Sequence, residues 1–277
     1  QTRTPGVTRA PGITLTPGGQ QPDTTWLTLT ARAALLEITR TPTWTLTPTS
    51  TRTRTRTPTP PGSPACTSIG QTWTREVDGA VMLCVPSGSF TIGQRTCTYP
   101  GCEKEVNGGS VSLPGFWIDR GEVTNAMYKQ FVADTNFVTG AERSGASAVY
   151  GFTEAVIGAN WRRPQGPGSS ISGLDDHPVV QLNWYAAQAY CQWAGGQLPS
   201  EAQWEKAARG SDGRLFPWGN DLPKGVFLNA ADVNLQVPWA KKDQNDGFKY
   251  TSPVGSYPAG ASPYGVLDLS GNAWEWT

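Results

Sequence analysis

The chain has little histidine, little methionine and no long apolar run. His177 is its one histidine, and Met82 and Met127 are its two methionines. A single imidazole excludes metal centres built from several histidines. No stretch of about 18 apolar residues exists, so no transmembrane helix is expected. The first 65 residues lack lysine, hold only two acids (Asp23 and Glu37), and contain nine Val, Ile and Leu together. Such a stretch cannot bury enough apolar surface to offset its chain entropy. Its basic run of Arg52, Arg54 and Arg56 is spaced by threonine rather than aromatics, which gives nucleic-acid binding little support. The chain opens on Gln1 with no apolar signal core, the expectation for a processed protein or a fragment.

What is there divides in two. Residues 1–65 carry seven Arg, 20 Thr and ten Pro, a net of +5, and residues 66–277 a net of −5, which together give the formal charge of zero. We therefore expect an arm over 1–65 and one domain over 66–277. From Thr39 to Thr59 every odd position is threonine, which places eleven hydroxyls on one side of an extended backbone. Pro42, Pro48 and Pro58 remove ladder donors, so polyproline-like extension fits better than a central strand. The composition reads either as a disordered linker or as a stalk carrying O-linked sugars, the second requiring an extracellular setting. Within the arm, Trp26, Leu27, Leu29, Leu35, Leu36 and Ile38 form its one apolar segment. It reads as a short strand followed by a strand or helical turn, and is an assembly candidate that docks on the domain or adds to a neighbouring molecule.

Three helices are legible in the domain. One follows the cap Thr124, with Tyr128, Phe131 and Val132 on one face. One starts at Asn183, carries the stripe Ala187, Tyr190, Cys191 and Ala194, and ends at Gly195-Gly196. One opens on a Ser200…Gln203 capping box, continues through Trp204, Ala207 and Ala208, and closes at Gly210. Short strands are expected at Val81–Pro86, Ser89–Ile92 and Phe116–Asp119, separated by long Gly/Pro/Asn-rich connections. The fold class is α+β with much irregular backbone.

Six segments then acquire a common meaning. They are Met82 to Gly93 (MLCVPSGSFTIG), Phe116 to Asn125 (FWIDRGEVTN), His177 to Val180 (HPVV) and Leu198 to Gly210 (LPSEAQWEKAARG). Pro217 to Asn220 (PWGN) and Tyr264 to Trp276 (YGVLDLSGNAWEW) complete the set. In this order they resemble the formylglycine-generating enzyme, or sulfatase-modifying factor, family over about residues 78–277. The resemblance implies an elaborated C-type-lectin-like domain. It also implies copper-dependent oxidation of a sulfatase cysteine by a pair of cysteines located after the Gly-Asn-x-Trp-Glu-Trp motif. Thr277 follows that motif directly, and on this ground we expect the chain as given to lack the catalytic pair.

The five cysteines do not replace that pair. Cys97 and Cys102 flank a short Pro/Gly loop and are expected to form a local disulfide, with a soft Cu(I) site as the minor alternative. Cys66 and Cys84 are a second disulfide candidate, and Cys191 reads as a buried small hydrophobe. His177 is read as structural, and copper is not expected here. Hard-cation chemistry survives. The Asp243–Gly247 run mimics a calcium loop, but its glycine comes one place early and Val254 stands where a bidentate Glu is needed. By resemblance, one calcium falls on Asn229, the Ala230 carbonyl, Asp246 and the Phe248 carbonyl. A second falls on Asp268, the Gly271 and Ala273 carbonyls, and Glu275. All are oxygen donors in irregular backbone, which suits calcium. The sequence thus favours a non-catalytic, extracellular or cell-surface, calcium-stabilised module with a glycosylated arm. Its partners are expected to be copies of itself, assembled into a filament by arm exchange, or another extracellular protein or glycan. The alternative is an incomplete copper-dependent formylglycine-generating oxidase acting on sulfatases.

Overall fold

Five consecutive apolar residues, Val-Met-Leu-Cys-Val, make a strand buried on both faces, and the rest of the first half is arranged around it. The computed structural model describes residues 62–93, 108–149, 155–235 and 237–277. The arm segment from Trp26 to Ile38, and Cys97 and Cys102, lie outside the described residues. In chain order the strands are β1 (Thr72–Thr74), β2 (Val81–Val85), β3 (Gly88–Thr91), β4 (Ser110–Leu113) and β5 (Phe116–Asp119). There follow α1 (Asn125–Thr135), α2 (Gly140–Ser144), β6 (Ala146–Ala148), β7 (Ala155–Ile157), α3 (Trp184–Trp193) and α4 (Glu201–Arg209). Strands β1, β2 and β5 form an antiparallel sheet with β2 central, and Val85 pairs with Phe116 while Met82 pairs with Asp119. The pairs β3–β4 and β6–β7 are separate antiparallel ribbons.

Alternation along β2 sends its side chains to two cores. Leu83 and Val85 join Phe116, Ala207, Ala208, Val266 and Leu269, so α4 and the C-terminal region cover that face. Met82 and Cys84 pack with Trp117, Cys66 and Trp73 on the other. There the Cys66–Cys84 disulfide forms, as the sequence suggested. Its separation of 18 residues corresponds to about 3 kcal/mol by loop-closure arithmetic. A third core, of Tyr128, Phe131, Trp161, Ile171, Tyr190 and Ala194, lies between α1 and α3.

All three expected helices form, and their caps are the residues named. Thr124 accepts from Met127 N, Asn183 from Ala186 N, and Ser200 completes a capping box with Gln203. Of the expected stripe Tyr190 and Ala194 are buried, Ala187 and Cys191 are half-buried, and Ala186 is buried in addition. A buried ionic knot joins the regular elements. Arg75, 6% exposed, donates two hydrogen bonds to Asp119 (2.9 and 3.0 Å) and a fork to Asp78, which also accepts from the Tyr190 hydroxyl. Burying a guanidinium is tolerable when its donors are met this fully.

Past Arg209 regular structure nearly stops; among the described residues the one element is the 3-10 turn Pro258–Gly260. This region packs backbone against backbone. A Cβ on Gly260 would lie 1.9 Å from the Phe227 carbonyl, and one on Gly271 would lie 2.5 Å from the Asn229 carbonyl. Glycine is required at both positions by close approach. Mixed α+β with little regular structure is what the sequence led us to expect.

Candidate functional site

The four residues of the first expected calcium set come together around Asp246. Its Oδ1 accepts from Phe248 N (2.9 Å) across Gly247, whose φ of 96° permits the turn, and its Oδ2 accepts from Ala230 N (2.8 Å). Asn229 is buried beside it and donates to the Tyr250 carbonyl at 2.7 Å. Buried Asp232 adds a second negative charge by accepting from Asp246 N. Burial raises the Asp246 carboxyl above its ordinary value, the Phe248 and Ala230 N–H groups pull it back, and Asp232 raises it further.

The second set gathers around Asp268, which has a left-handed φ of 60°. It is 6% exposed; Oδ2 accepts from Gly255 N at 2.6 Å, while Oδ1 has no hydrogen-bond partner. Glu275 accepts from the Trp204 indole at 2.5 Å. Glu122 is an addition that the sequence reading did not make. It takes the Asn272 amide (2.9 Å) and the Ala273 N–H (2.9 Å), and so holds the loop carrying the Gly271 and Ala273 carbonyls. Burial first, then Asp268 and Glu275, raise the Glu122 carboxyl well above its ordinary value. Removal from water likewise pushes Glu275 up to about 7. The Glu275 residue as a whole is exposed, so solvent screening discounts what that shift is worth in stability. Burial raises Asp268 too, and its bond from Gly255 N opposes this.

The two sets share a hinge residue. Asn272, at φ 65°, accepts the Asn229 amide (3.1 Å) and Ser252 N (2.8 Å), and its own N–H donates to the Asn229 carbonyl (2.9 Å). The signal for it was present in Gly-Asn-x-Trp-Glu-Trp, which the sequence reading used only for its resemblance. Among the described residues no three His, Cys, Asp or Glu side chains are grouped to hold a metal by themselves. That bears only on sites built from side chains alone. Calcium is different, because backbone carbonyls complete its shell. The orphaned Asp268 oxygen, on a carboxylate that raises both Glu122 and Glu275, is an arrangement that a hard cation would relieve.

The sulfur and imidazole chemistry is sparse. Among the described residues Cys191 is the free thiol. Burial, with Asp119 adding to it, pushes this thiol up to about 12, so it is protonated at neutral pH and inert as a nucleophile. His177 Nδ1 lies 3.0 Å from Thr251 Oγ1, its ring meets Phe248 edge-on, and its carbonyl accepts from Asn125 N. These are the contacts of a structural residue.

A small-sheet α+β domain with a polar, carbonyl-rich second half defines a class of modified C-type-lectin-like proteins. The solved structure of PvdO from Pseudomonas aeruginosa shares this fold, with a TM-score of 0.56, 24% identity, and coverage of 76% of this chain and 75% of that one. The family is settled by sequence: the sulfatase-modifying factor enzyme 1-like domain matches residues 70–277, and the chain belongs to that family. Curated formylglycine-generating enzymes from mammals and bacteria are 36–38% identical over 70–78% of this chain. The cow (Bos taurus) enzyme is 36% identical over 78% of this chain and 66% of its own length. The chain thus spans about two thirds of that relative. A mouse (Mus musculus) protein named Inactive C-alpha-formylglycine-generating enzyme 2 is 36% identical over 71% of this chain and 68% of its own length. These relatives overturn the expectation of a non-catalytic structural module assembling by arm exchange. That expectation rested on the position of Thr277, whereas the similarity runs through most of the chain and points to the oxidase alternative.

Proposed function

We propose that this chain contributes the folded domain of a formylglycine-generating oxidase, which converts a cysteine of a sulfatase polypeptide to formylglycine. The observation that carries the reading is the 36–38% identity to curated formylglycine-generating enzymes over most of the chain. Copper dependence is part of that reading, but one buried, protonated thiol does not fit a soft Cu(I) site of two thiolates. No copper step is therefore assigned to the described residues.

Calcium fits better, and we assign it a structural role. Asn229, Asp246 and the Ala230 and Phe248 carbonyls would hold one ion. Asp268, Glu275 and the Gly271 and Ala273 carbonyls would hold the other, with Glu122 positioning the loop through Asn272 and Ala273 N. When bound, calcium supplies positive charge that pins irregular backbone. The unpartnered Asp268 Oδ1 supports this assignment. We further place the protein outside the reducing cytosol, a reading supported by the Cys66–Cys84 disulfide. In that setting the Thr/Pro-rich arm is a substrate for O-glycosylation, and the sulfatase is the extracellular-pathway partner.

The test uses the complete gene product and a peptide spanning a sulfatase active-site cysteine. Mass spectrometry with a hydrazide that captures aldehydes should find the thiol-bearing carbon converted to an aldehyde. A folded, copper- and calcium-loaded protein that leaves the peptide unchanged would place it with the inactive mouse relative and end the oxidase reading.

A further inference from the structure

The groove between α1 and the 161–172 loop is rich in hydrogen-bond donors, and two buried donors beneath it have no partner among the described residues. Its volume is about 780 Å³, and Lys129, Trp161, Arg162, Arg163, Ser170 and Ser172 line it. Trp161 is 1% exposed, and its indole N–H has no acceptor among the described residues. The Tyr128 hydroxyl, on a ring that meets Trp161 edge-on at 5.1 Å, is also buried without a partner. An indole nitrogen can only donate, so the missing partner of Trp161 is an acceptor.

The charges around this orphan point the same way. The Arg162 guanidinium lies 4.1 Å over the Trp161 ring and pairs with Glu142, and Lys129 pairs with Asp175. Both pairs involve exposed side chains, so they are weak and exchangeable. Arg163 is exposed and has no carboxylate partner among the described residues. Counting Glu142 and Asp175, the groove keeps one positive charge. Ser170 and Ser172 of the same loop bring hydroxyls, although Ser170 already accepts from Ser172 N at 3.0 Å. Two neighbouring guanidinium forks with hydroxyl donors suit an acceptor having several oxygens.

We propose that this groove binds a tetrahedral oxyanion, sulfate or phosphate, free or as an ester. The site is independent of both the oxidase and the calcium assignments. It is built from α1 and the 161–172 loop, whereas the calcium sets lie on residues 229–275 with Glu122.

The experiment is calorimetric titration of the full chain with sodium sulfate, sodium phosphate and p-nitrophenyl sulfate, against chloride at matched ionic strength. Thermal denaturation is measured in parallel. The expected result is saturable binding of sulfate or phosphate, with half-saturation raised about tenfold or more in R163Q and less in K129Q. Both variants change exposed side chains, so their midpoints without added anion should match the parent. Binding of the aryl ester alone would assign the groove to esters, and binding of the inorganic ions as well would assign it to the free anion. A response that never saturates is the general effect of excluded salts. That outcome, or equal binding by R163Q and the parent, overturns the proposal.

Discussion

The two halves of the domain are held together by different physics. Residues 72–209 contain the eleven strands and α-helices found among the described residues and bury their large side chains in apolar clusters such as Tyr128, Phe131, Trp161 and Tyr190. Residues 210–277 have one 3-10 turn, and their links are side chain to backbone: Asn229 to Tyr250, Asp246 to Ala230, Asn272 to Ser252, Glu122 reaching in to Ala273. The first half is stabilised by area removed from water. The second depends on matching polar groups one to one, which leaves carboxylates in need of charge. Its stability should therefore respond to added cations where that of the first, whose buried acids Asp78 and Asp119 are already paired with Arg75, does not.

The largest effect expected is in the apolar half. Phe131 is 2% exposed and touches Tyr128, Phe137, Tyr190 and Trp193 through its ring. Phe131→Ala should cost about 3–5 kcal/mol by urea denaturation. The loss should be the same with calcium or with chelator. A loss that changes with calcium would mean the halves are not separable.

Calcium removal comes next. If ligand is present at about 100 times Kd, chelation should cost about 2.7 kcal/mol for each site occupied. Hydrogen exchange should then rise in residues 229–275 and not in α1 or α3. In the chelated protein the acids Glu122, Asp268 and Glu275 have folded-state values above their unfolded ones. Such groups add stability when protonated and withdraw it as pH rises through the folded value. Stability of the metal-free protein should thus fall between the ordinary carboxylate range and about pH 7, the value for Glu275. Calcium should flatten that decline. A pH profile unaffected by calcium would break the assignment of the second half.

How much was legible beforehand follows the same division. Thr124, Asn183 and Ser200 were readable as caps because capping is decided within four residues. Strand β5 was readable at its observed bounds because its apolar run is local. Helix α2 was missed although Thr139 and Glu142 form a capping box; at five residues it has no apolar periodicity to detect. The burial of Lys206 was not readable. Its ammonium is held by the Pro86 and Gly88 carbonyls, 120 and 118 residues away, and burial lowers its proton affinity. The role of Glu122 was hidden for the same reason, since its partners lie 150 residues on. The calcium sets were placed by resemblance, motif by motif, and hydrogen bonds join Asp246 of the first set to Ala230 and Phe248. Ser200→Ala tests the local kind of legibility and should cost about 1 kcal/mol. A much larger loss would mean that Ser200 acts through more than the start of α4.

The smallest expected effect is an ion pair in the irregular half. Arg214 forks onto Asp212, with nitrogen-oxygen distances of 2.7 and 3.0 Å, and holds its carboxyl down to about 2. A depressed carboxyl adds stability above its unfolded value and loses it as pH falls through the folded one. Asp212→Asn should therefore matter at pH 7 and be silent near pH 2. Asp212 is mostly exposed, so screening limits the effect to about 0–1 kcal/mol. This is the sharpest form of the comparison between halves. If exposed polar pairing alone held residues 210–277, removing this fork would loosen the region measurably by hydrogen exchange. If the buried carboxylates and their cation do so, the variant should exchange like the parent while Asp268→Asn does not.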